Sequence, residues 1–362
     1  MLNYFLTPLA RNFGPLNLFR YITFRAAMAG AIAIVLTLLL GEPLIRLLKK
    51  LQVGQNIREE VPERHRQKAG TPTMGGALML ISAIIGIVLF GDLTNQAVLL
   101  GLGVLVLLGI LGFWDDYVKV RGGRARGVNK RTKLVFQLLV AGGVGAILYF
   151  LPVDPGQKSK TNFLLFKNII LDFGIFYIPL VMLVLVGSSN AVNLSDGLDG
   201  LAPGLLAVAL GSYTVLCYAA GNFKIAQYLN IQFVPIAGEM TVFCLALTGA
   251  CLGFLWFNSY PAEIFMGDTG SLPLGGALGL AAIISKHELL LPIIGGVFVV
   301  EAGSVLLQVI YFHSTGGKRI FRMAPLHHHY ELKGWAEPKI VTRFMIIAVL
   351  CGMIALATLK VR

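Results

Sequence analysis

Residues 97–117 read AVLLGLGVLVLLGILGFWDDY, a long uncharged run that ends directly in Asp115 and Asp116. A helix that crosses a membrane needs about 20 predominantly apolar residues. The run therefore predicts a transmembrane helix over residues 97–114. Because an ionised carboxylate deep in a bilayer costs roughly 2.5 kcal/mol or more, the adjacent aspartates indicate a cation site or a proton-transfer site at the end of this helix.

The rest of the chain repeats this apolar pattern. Of its 362 residues, 56% are hydrophobic and only 13% are charged, whereas roughly a quarter of the residues of a soluble domain are charged. The sequence predicts an all-α integral membrane protein, one polytopic domain over residues 1–362 with no cleaved signal peptide. Its ten predicted transmembrane helices cover residues 21–40, 73–91, 97–114, 134–152, 175–191, 200–220, 236–256, 264–284, 289–312 and 341–359.

The basic residues predict the orientation. The connections 41–72, 115–133 and 313–343 hold 20 of the 30 Lys and Arg residues. By the positive-inside rule these connections are cytoplasmic, which puts both termini in the periplasm. Topology and contact with anionic lipids account for most of the net charge of +12. A nucleic-acid partner is not expected, because the basic residues flank membrane helices without interleaved aromatic residues.

The aspartate pair occupies the predicted cytoplasmic end of the third helix. Neighbouring residues of a helix project about 100° apart, so Asp115 and Asp116 are expected to have separate roles. The alternative is a pair at the membrane surface that is solvated by water and balanced by Lys119 and Arg121.

A polar connector follows the fifth predicted helix. Residues 188–200, SSNAVNLSDGLDG, include Asn190, Asn193 and Asp196. Amide and carboxylate oxygens suit a hard cation, and Gly197 and Gly200 let the backbone approach a ligand closely. Helix capping alone would explain part of this composition.

The connection before the eighth predicted helix carries a further aspartate. Residues 258–271, NSYPAEIFMGDTGS, contain Asn258, Phe265 and Asp268. Asp268 lies between glycines just before a helix, where the free backbone amides and the dipole also favour phosphate. Such strings also form ordinary turns. The motif therefore indicates a functional site only if it lies on the same side of the membrane as the other aspartates.

Two cytoplasmic connections offer groups for anions. Residues 324–331, APLHHHYE, include His327 and His328, and their spacing makes a zinc site improbable. The favoured interpretation is that these imidazoles contact phosphate or sugar. Residues 64–76, RHRQKAGTPTMGG, place Lys68 and Thr73 at the start of the second helix. The alternative for Lys68 is that it only contributes to the positive charge that sets the orientation in the membrane.

The ninth predicted helix contains Glu301 and Gln308 on one face. An ionisable residue within a membrane is a functional candidate, and a buried hydrogen-bonded Glu is about as plausible. Together, the carboxylates, amides, Lys and His of the cytoplasmic connections suit Mg²⁺ with phosphate groups.

Four of these strings resemble a known family. GFWDDY at 112–117, SNAVNLSDGLDG at 189–200 and FMGDTGS at 265–271 are similar to the signatures of the polyprenyl-phosphate N-acetylhexosamine-1-phosphate transferases. PLHHHYE at 325–331, followed by Lys333-Gly334, resembles the branch that acts in peptidoglycan synthesis. The resemblance covers essentially the whole chain.

The resemblance implies a reaction in a bacterial inner membrane. Phospho-N-acetylmuramoyl-pentapeptide passes from UDP to undecaprenyl phosphate, giving lipid I and UMP. Asp268 would bind Mg²⁺, and Asp115 or Asp116 would act as a base or orient the lipid phosphate. The residues matching the substrate pocket are Lys68, Thr73, Asn190, Asn193, Asp196, Asn258, Phe265, His327 and His328. Family analogy also suggests a symmetric homodimer.

Three alternatives remain at this stage. A related transferase would use UDP-N-acetylglucosamine, which the three-histidine connection argues against. A secondary transporter would show paired inverted halves and charges near the membrane midplane, whereas these acids cluster at one surface. An inactive membrane scaffold would leave the clustered aspartates unexplained.

Overall fold

The computed structural model describes residues 2–9, 13–51, 70–122, 127–162 and 170–361, and within these ranges the protein is almost entirely helical. Lys68 lies outside the described residues. The α-helices are α1 Leu2–Leu9, α2 Ile22–Lys50, α3 Gly76–Phe90, α4 Gln96–Arg121, α5 Lys130–Phe150, α6 Tyr177–Ser195, α7 Leu201–Gly221, α8 Phe223–Leu229, α9 Ala237–Asn258, α10 Asp268–Ile284, α11 Leu291–Ile294, α12 Gly296–Ser314, α13 Leu326–Leu332 and α14 Glu337–Val361.

Eight of the described helices are long and apolar enough to cross a membrane, which makes this a multi-pass membrane protein. They are α2, α4, α5, α6 (with the short 3-10 helix before it), α7, α9, α12 and α14. The two remaining predicted spans correspond to shorter apolar helices, α3 with 15 residues and α10 with 17. At a rise of 1.5 Å per residue, α10 is about 25 Å long, less than the roughly 30 Å of a hydrocarbon core.

Helix α10 lies at the centre of the bundle. Every one of its residues is buried, so other helices cover it on all sides. Its first residue is also later than the predicted 264, because the backbone of Phe265 pairs with the segment before α3: its N–H donates to the carbonyl of Pro72 and its carbonyl accepts from Gly75.

Glycines let three helices approach α10 closely. A Cβ on Gly76 would lie 2.1 Å from the backbone N of Gly270, and one on Gly112 would lie 2.1 Å from the carbonyl O of Asp268. One on Gly275 would lie 2.7 Å from the carbonyl O of Ser188. Small residues allow such close packing of membrane helices. The contact at Gly112 brings the end of α4 against the start of α10.

The end of the bundle away from this contact carries the only described strands. β1 Lys160–Asn162 and β2 Ile170–Asp172 form a two-stranded antiparallel hairpin in which Lys160 lies opposite Asp172. The hairpin lies in the connection between α5 and α6. It is a small addition to the all-α architecture that the apolar periodicity could not predict.

A buried ion pair ties α2 to α9. Arg25 donates from Nη1 to Oε2 of Glu239 at 2.7 Å and from Nη2 to Oε1 at 2.5 Å. Nη1 also donates to the carbonyl O of Phe90 at 3.0 Å, and the Asp92 N–H donates to Glu239 at 3.0 Å. The pair therefore joins three helices.

A Glu239→Gln variant is expected to lower the free energy of unfolding by about 3 kcal/mol, because removing one partner leaves the Arg25 charge buried and uncompensated. The measurement is thermal unfolding of the detergent-purified protein. Glu42→Gln is the control, since its pair with Arg46 is exposed and contributes at most about 1 kcal/mol. Equal effects of the two variants would show that the buried pair does not stabilise the bundle.

Candidate active site

Three carboxylates meet where the end of α4 contacts the start of α10. Oxygen atoms of Asp115, Asp116 and Asp268 all lie within 4.8 Å of one another, and all three residues are buried. The alternative of a water-solvated pair at the membrane surface is excluded for Asp115 and Asp116, which are 1% and 2% exposed. The close approach at Gly112 creates the cluster by holding the two helices together.

Two lysine ammonium groups contact this cluster. Nζ of Lys119 lies 2.6 Å from Oδ2 of Asp115 and 3.2 Å from Oδ2 of Asp268. Nζ of Lys133 lies 3.3 Å from the same oxygen of Asp115 and forms a very short contact with Asp268. The ammonium groups thus bridge α4, α5 and α10.

The sequence pointed to Lys119 only as a counter-charge in the alternative of a water-solvated pair, and it did not point to Lys133. Lys119 lies four residues after Asp115 on one helix face, a spacing that brings side chains together. Lys133 comes from the start of α5, and no local pattern connects it with the aspartates. Only the packing of α5 beside α4 and α10 places its ammonium group at the cluster.

Asp116 caps helix α10 from the neighbouring helix. Its Oδ1 accepts from the N–H of Asp268 at 3.2 Å, and its Oδ2 accepts from the N–H of Thr269 at 2.9 Å and from the hydroxyl of Thr269 at 2.7 Å. The first N–H groups of a helix have no partner within it and need such acceptors. Both oxygens of Asp116 are therefore occupied in positioning α10.

Asp115 has a different environment. Its Oδ1 accepts from the N–H of Val128 at 2.8 Å, and this hydrogen bond holds the backbone at Val128 beside the cluster. A Cβ on Gly127 would lie 2.5 Å from this oxygen. The other oxygen, Oδ2, lies 2.6 Å from Nζ of Lys119 and 3.3 Å from Nζ of Lys133. Asp115 and Asp116 therefore make different contacts, and their separate roles stay a prediction.

The polar connector contributes two groups beside Asp268. Asn193 donates from Nδ2 to Oδ1 of Asp268 at 2.7 Å and to Oγ of Ser271 at 2.8 Å. Asp196 is half-buried at the end of α6, and burial raises its pKa to about 7, with the charges of Asp268 and Asp116 adding to the effect. Both residues thus lie at the carboxylate cluster.

Thr73 also borders the cluster. A Cβ on Gly267 would lie 2.9 Å from Oγ1 of Thr73 and 2.5 Å from Oδ2 of Asp116. Gly267 has a φ of 70° and immediately precedes α10. Glycine is needed there for its backbone conformation and for the space that it leaves between the two side chains.

Three other predicted residues hold the surrounding connections. Asn258 accepts from the N–H of Gly200 at 3.0 Å and donates to the carbonyl of Ile264 at 2.8 Å. Asn190 donates to Oε1 of Gln137 at 2.9 Å, between α5 and α6. Phe265 is half-buried and bonded through its backbone. Their described contacts are within the protein and not to the carboxylates.

The histidines form pairs with glutamates. His327 is fully buried, its Nδ1 lies 2.8 Å from Oε2 of Glu301, and its backbone N–H donates to Oε1 at 3.1 Å. Nδ1 of His328 lies 2.7 Å from Oε2 of Glu331. Glu301 is therefore buried and hydrogen-bonded, as the alternative to a functional Glu301 predicted. Gln308 accepts hydrogen bonds from the backbone N–H groups of Ile320 and Phe321.

Stability should depend on pH through His327. Burial lowers its pKa, and the hydrogen bond with Glu301 opposes this effect. The unfolded chain therefore takes up the proton at higher pH, so the stability contribution is fully present above about pH 6.5 and is lost as the pH falls through the lower folded value. We expect the unfolding temperature to decline below pH 6.5, and His327→Gln to reduce that decline. The exposed His313→Gln control should retain it, and an unchanged decline in His327→Gln would contradict the assignment.

The donor set at the cluster fits a hard divalent cation. Carboxylate oxygens are the ligands that such cations prefer, and two lysines offset only two of the three negative charges. The Asp268 side chain is the most accessible of the three, at 12% against 1% for Asp115 and 3% for Asp116. Asp268 is therefore the most available ligand.

Comparisons with known proteins find a family model and full-length relatives that match this chain. The model of glycosyl transferase family 4 matches residues 98–286, a range that contains all three aspartates. A protein of Desulfatibacillum aliphaticivorans is 52% identical, one of Oleidesulfovibrio alaskensis is 52% identical, and one of Rickettsia akari is 49% identical, each with 100% of both chains covered. All three relatives carry the name phospho-N-acetylmuramoyl-pentapeptide-transferase.

Proposed function

Because the chain belongs to glycosyl transferase family 4 and, within it, to the phospho-N-acetylmuramoyl-pentapeptide-transferases, we propose that it makes lipid I for peptidoglycan synthesis. It transfers phospho-N-acetylmuramoyl-pentapeptide from its UDP carrier to undecaprenyl phosphate and releases UMP. An oxygen of the lipid phosphate bonds to the phosphorus that carries the sugar, and the bond from that phosphorus to the oxygen retained by UMP breaks.

The observation that carries this proposal is the buried cluster of three aspartates and two lysines at the start of α10. Phosphoryl transfer brings several negative charges together, and its catalysis is mainly positioning and charge neutralisation. Lys119 and Lys133 supply mobile positive charge, and the start of α10 supplies a helix dipole that favours phosphate. The arrangement suits a diphosphate.

Mg²⁺ is the cofactor that we propose for this site, with Asp268 as its ligand. When bound, it would neutralise and orient the diphosphate oxygens. Asn193 fixes the Asp268 carboxylate through its 2.7 Å hydrogen bond and so presents the other oxygen. Lys119 and Lys133, which contact Asp268 here, can transfer their contacts to phosphate oxygens.

We assign separate roles to the adjacent aspartates. Asp115 is the base or orienting group for the lipid phosphate, because its Oδ2 faces the lysine ammonium groups. Asp116 is the positioning residue, because its oxygens cap α10. Asn193, Asp196 and Thr73 border the cluster and are the nearest candidates for substrate contact.

The remaining candidates would act farther from the reacting phosphates. Asn258 shapes the connections, and Phe265 could stack on uracil. His327 and His328 are held by glutamates, which would present the remaining ring nitrogens. Asn190 supports α6, and Lys68 remains a candidate for phosphate binding.

We also propose the membrane arrangement that the sequence predicted. The chain would cross the bacterial inner membrane ten times as a single domain, with α3 and α10 as the two short crossings. The aspartate cluster would face the cytoplasm, where UDP-linked substrates occur, and both termini would be periplasmic. A symmetric homodimer is the expected assembly.

The deciding experiment measures UMP release by the purified protein with undecaprenyl phosphate. One reaction contains UDP-N-acetylmuramoyl-pentapeptide and the other UDP-N-acetylglucosamine, each with Mg²⁺ and with EDTA. We expect turnover of the first substrate alone, and only with Mg²⁺. Turnover of the second substrate alone would assign the enzyme to a different pathway. Inactivity of the folded protein towards both substrates would favour the transporter hypothesis. Full turnover in EDTA would remove Mg²⁺ from the proposal.

A further inference from the structure

A second buried cluster of charge lies at the opposite end of α10, roughly 25 Å from the aspartates. Lys286 follows this helix with a φ of 59°, a left-handed conformation that is uncommon for a residue other than glycine. Its Nζ donates to the hydroxyl of Tyr177 at 2.8 Å, and this hydroxyl donates to Oε1 of Glu288 at 3.4 Å. All three residues are more than nine-tenths buried. The proposed transfer reaction uses none of them.

A cavity of about 130 Å³ adjoins this cluster. Apolar side chains form much of its wall, among them Leu148, Val234, Ile236, Ile283 and Ile284. The polar lining residues are Gln96, Asp154, Gln157, Lys158, Tyr177 and Lys286. Since one water needs about 10–15 Å³ of such volume, the space holds on the order of ten water-sized groups. That is enough for a small polar headgroup and too little for an acyl chain.

Two glutamines that line the cavity each have an amide oxygen with no hydrogen-bond donor among the described residues. These oxygens are Oε1 of Gln96 and Oε1 of Gln157, and both atoms are buried. The amide nitrogens are used: Gln96 donates to the carbonyl of Leu151 at 2.9 Å, and Gln157 donates to that of Phe233 at 3.0 Å. These bonds hold the amides in place, and leaving a buried acceptor unpaired is costly, so a ligand that donates to both oxygens would be favoured.

The lysines require the opposite chemistry. Lys286 has one described hydrogen-bond acceptor, the Tyr177 hydroxyl, whereas an ammonium group has three donors. Burial lowers its pKa to about 8, and the Glu288 carboxylate opposes this effect, so Lys286 is mostly protonated at pH 7. The cavity thus offers positive charge to an anion and carbonyl oxygens to an N–H donor. A zwitterion satisfies both.

We propose that this cavity binds the headgroup of a phosphatidylethanolamine molecule from the surrounding membrane. The phosphate contacts Lys286 and Lys158, and the ethanolamine ammonium donates to Gln96 and Gln157. A lipid is favoured over a soluble zwitterion because apolar side chains beside the cavity are exposed, Phe150 at 64%, Leu151 at 68% and Val153 at 56%. The acyl chains can follow this surface into the bilayer.

Native mass spectrometry of the full detergent-purified chain tests this site. The protein is offered phosphatidylethanolamine, phosphatidylcholine or phosphatidylglycerol with identical acyl chains. Phosphatidylcholine is the sharp comparison, since its ammonium carries no N–H donor. We expect one phosphatidylethanolamine to be retained with at least about tenfold higher affinity than either other lipid, which corresponds to about 1.4 kcal/mol. Equal retention of phosphatidylcholine, or preference for phosphatidylglycerol, would overturn the proposal.

Variants distinguish the two halves of the site. Lys286→Met should weaken phosphatidylethanolamine retention at least about tenfold, whereas Lys224→Met, an exposed lysine on α8, should leave it unchanged. If Lys286→Met does not fold, the double variant Gln96→Leu with Gln157→Leu serves instead and should bind both lipids equally. Undiminished selectivity in that double variant contradicts the site, as does full displacement of the lipid by soluble phosphoethanolamine at equal concentration. UMP release serves as the check of folding.

Discussion

An Asp268→Asn variant is expected to lose at least about 10³-fold in turnover while it still inserts and purifies like the parent protein. Asn retains the shape and can keep the contact to Asn193, but it removes the charge that faces Lys119 and Lys133. It also removes the most accessible carboxylate oxygen for a divalent cation. Losing one preorganised electrostatic contact typically costs 10²–10³-fold, and here a metal ligand would be lost as well.

The measurement is kcat for UMP release at saturating Mg²⁺, with Glu42→Gln as the matched control. Glu42 is an exposed acid on α2 whose described ion pair is with Arg46, so its removal should leave kcat unchanged. Direct Mg²⁺ or Mn²⁺ titration gives a second readout that does not depend on activity. Near-normal turnover of Asp268→Asn, or unchanged metal affinity, would remove Asp268 from the metal site.

The adjacent aspartates should respond differently to the same substitution. Asp115→Asn is expected to reduce turnover by at least about 10²-fold and to destabilise the protein less than Asp116→Asn does, because the Val128 N–H keeps its acceptor and both lysines keep Asp268. Asp116→Asn is expected to reduce turnover and also to lower the free energy of unfolding by about 1–3 kcal/mol. In that variant one of the N–H groups of Asp268 and Thr269 loses its acceptor in a buried position.

Both properties are measured on the same preparations, kcat by UMP release and stability by thermal unfolding in detergent. A pH profile of kcat adds a test of Asp115, since loss of a general base should remove the acidic limb of the profile. If Asp115→Asn were the less stable variant, the assignment of positioning to Asp116 would be reversed. Equal stability of both variants would show that the cap on α10 contributes little.

The first residue of α10 could not be predicted from the local sequence. Apolar content predicted a span over 264–284, whereas the helix begins at Asp268 because Phe265 pairs with the segment at residues 72–75 instead of continuing the helix. Hydropathy registers the apolar residues Ile264 to Met266 but not the competing backbone partner. The N–H groups of Asp268 and Thr269 at this helix start donate to Asp116.

Local composition alone determined the class of protein, the positions of the apolar helices and the residue types of the site, since a membrane helix needs only a long apolar run and its polar connections stand out against it. The motif strings also determined the family. Tertiary structure alone decided that Asp116 caps α10, that Lys133 enters the site and that Arg25 pairs with Glu239, because each contact joins helices far apart in sequence. Such contacts depend on how closely glycine-lined helices approach one another, which no local pattern encodes.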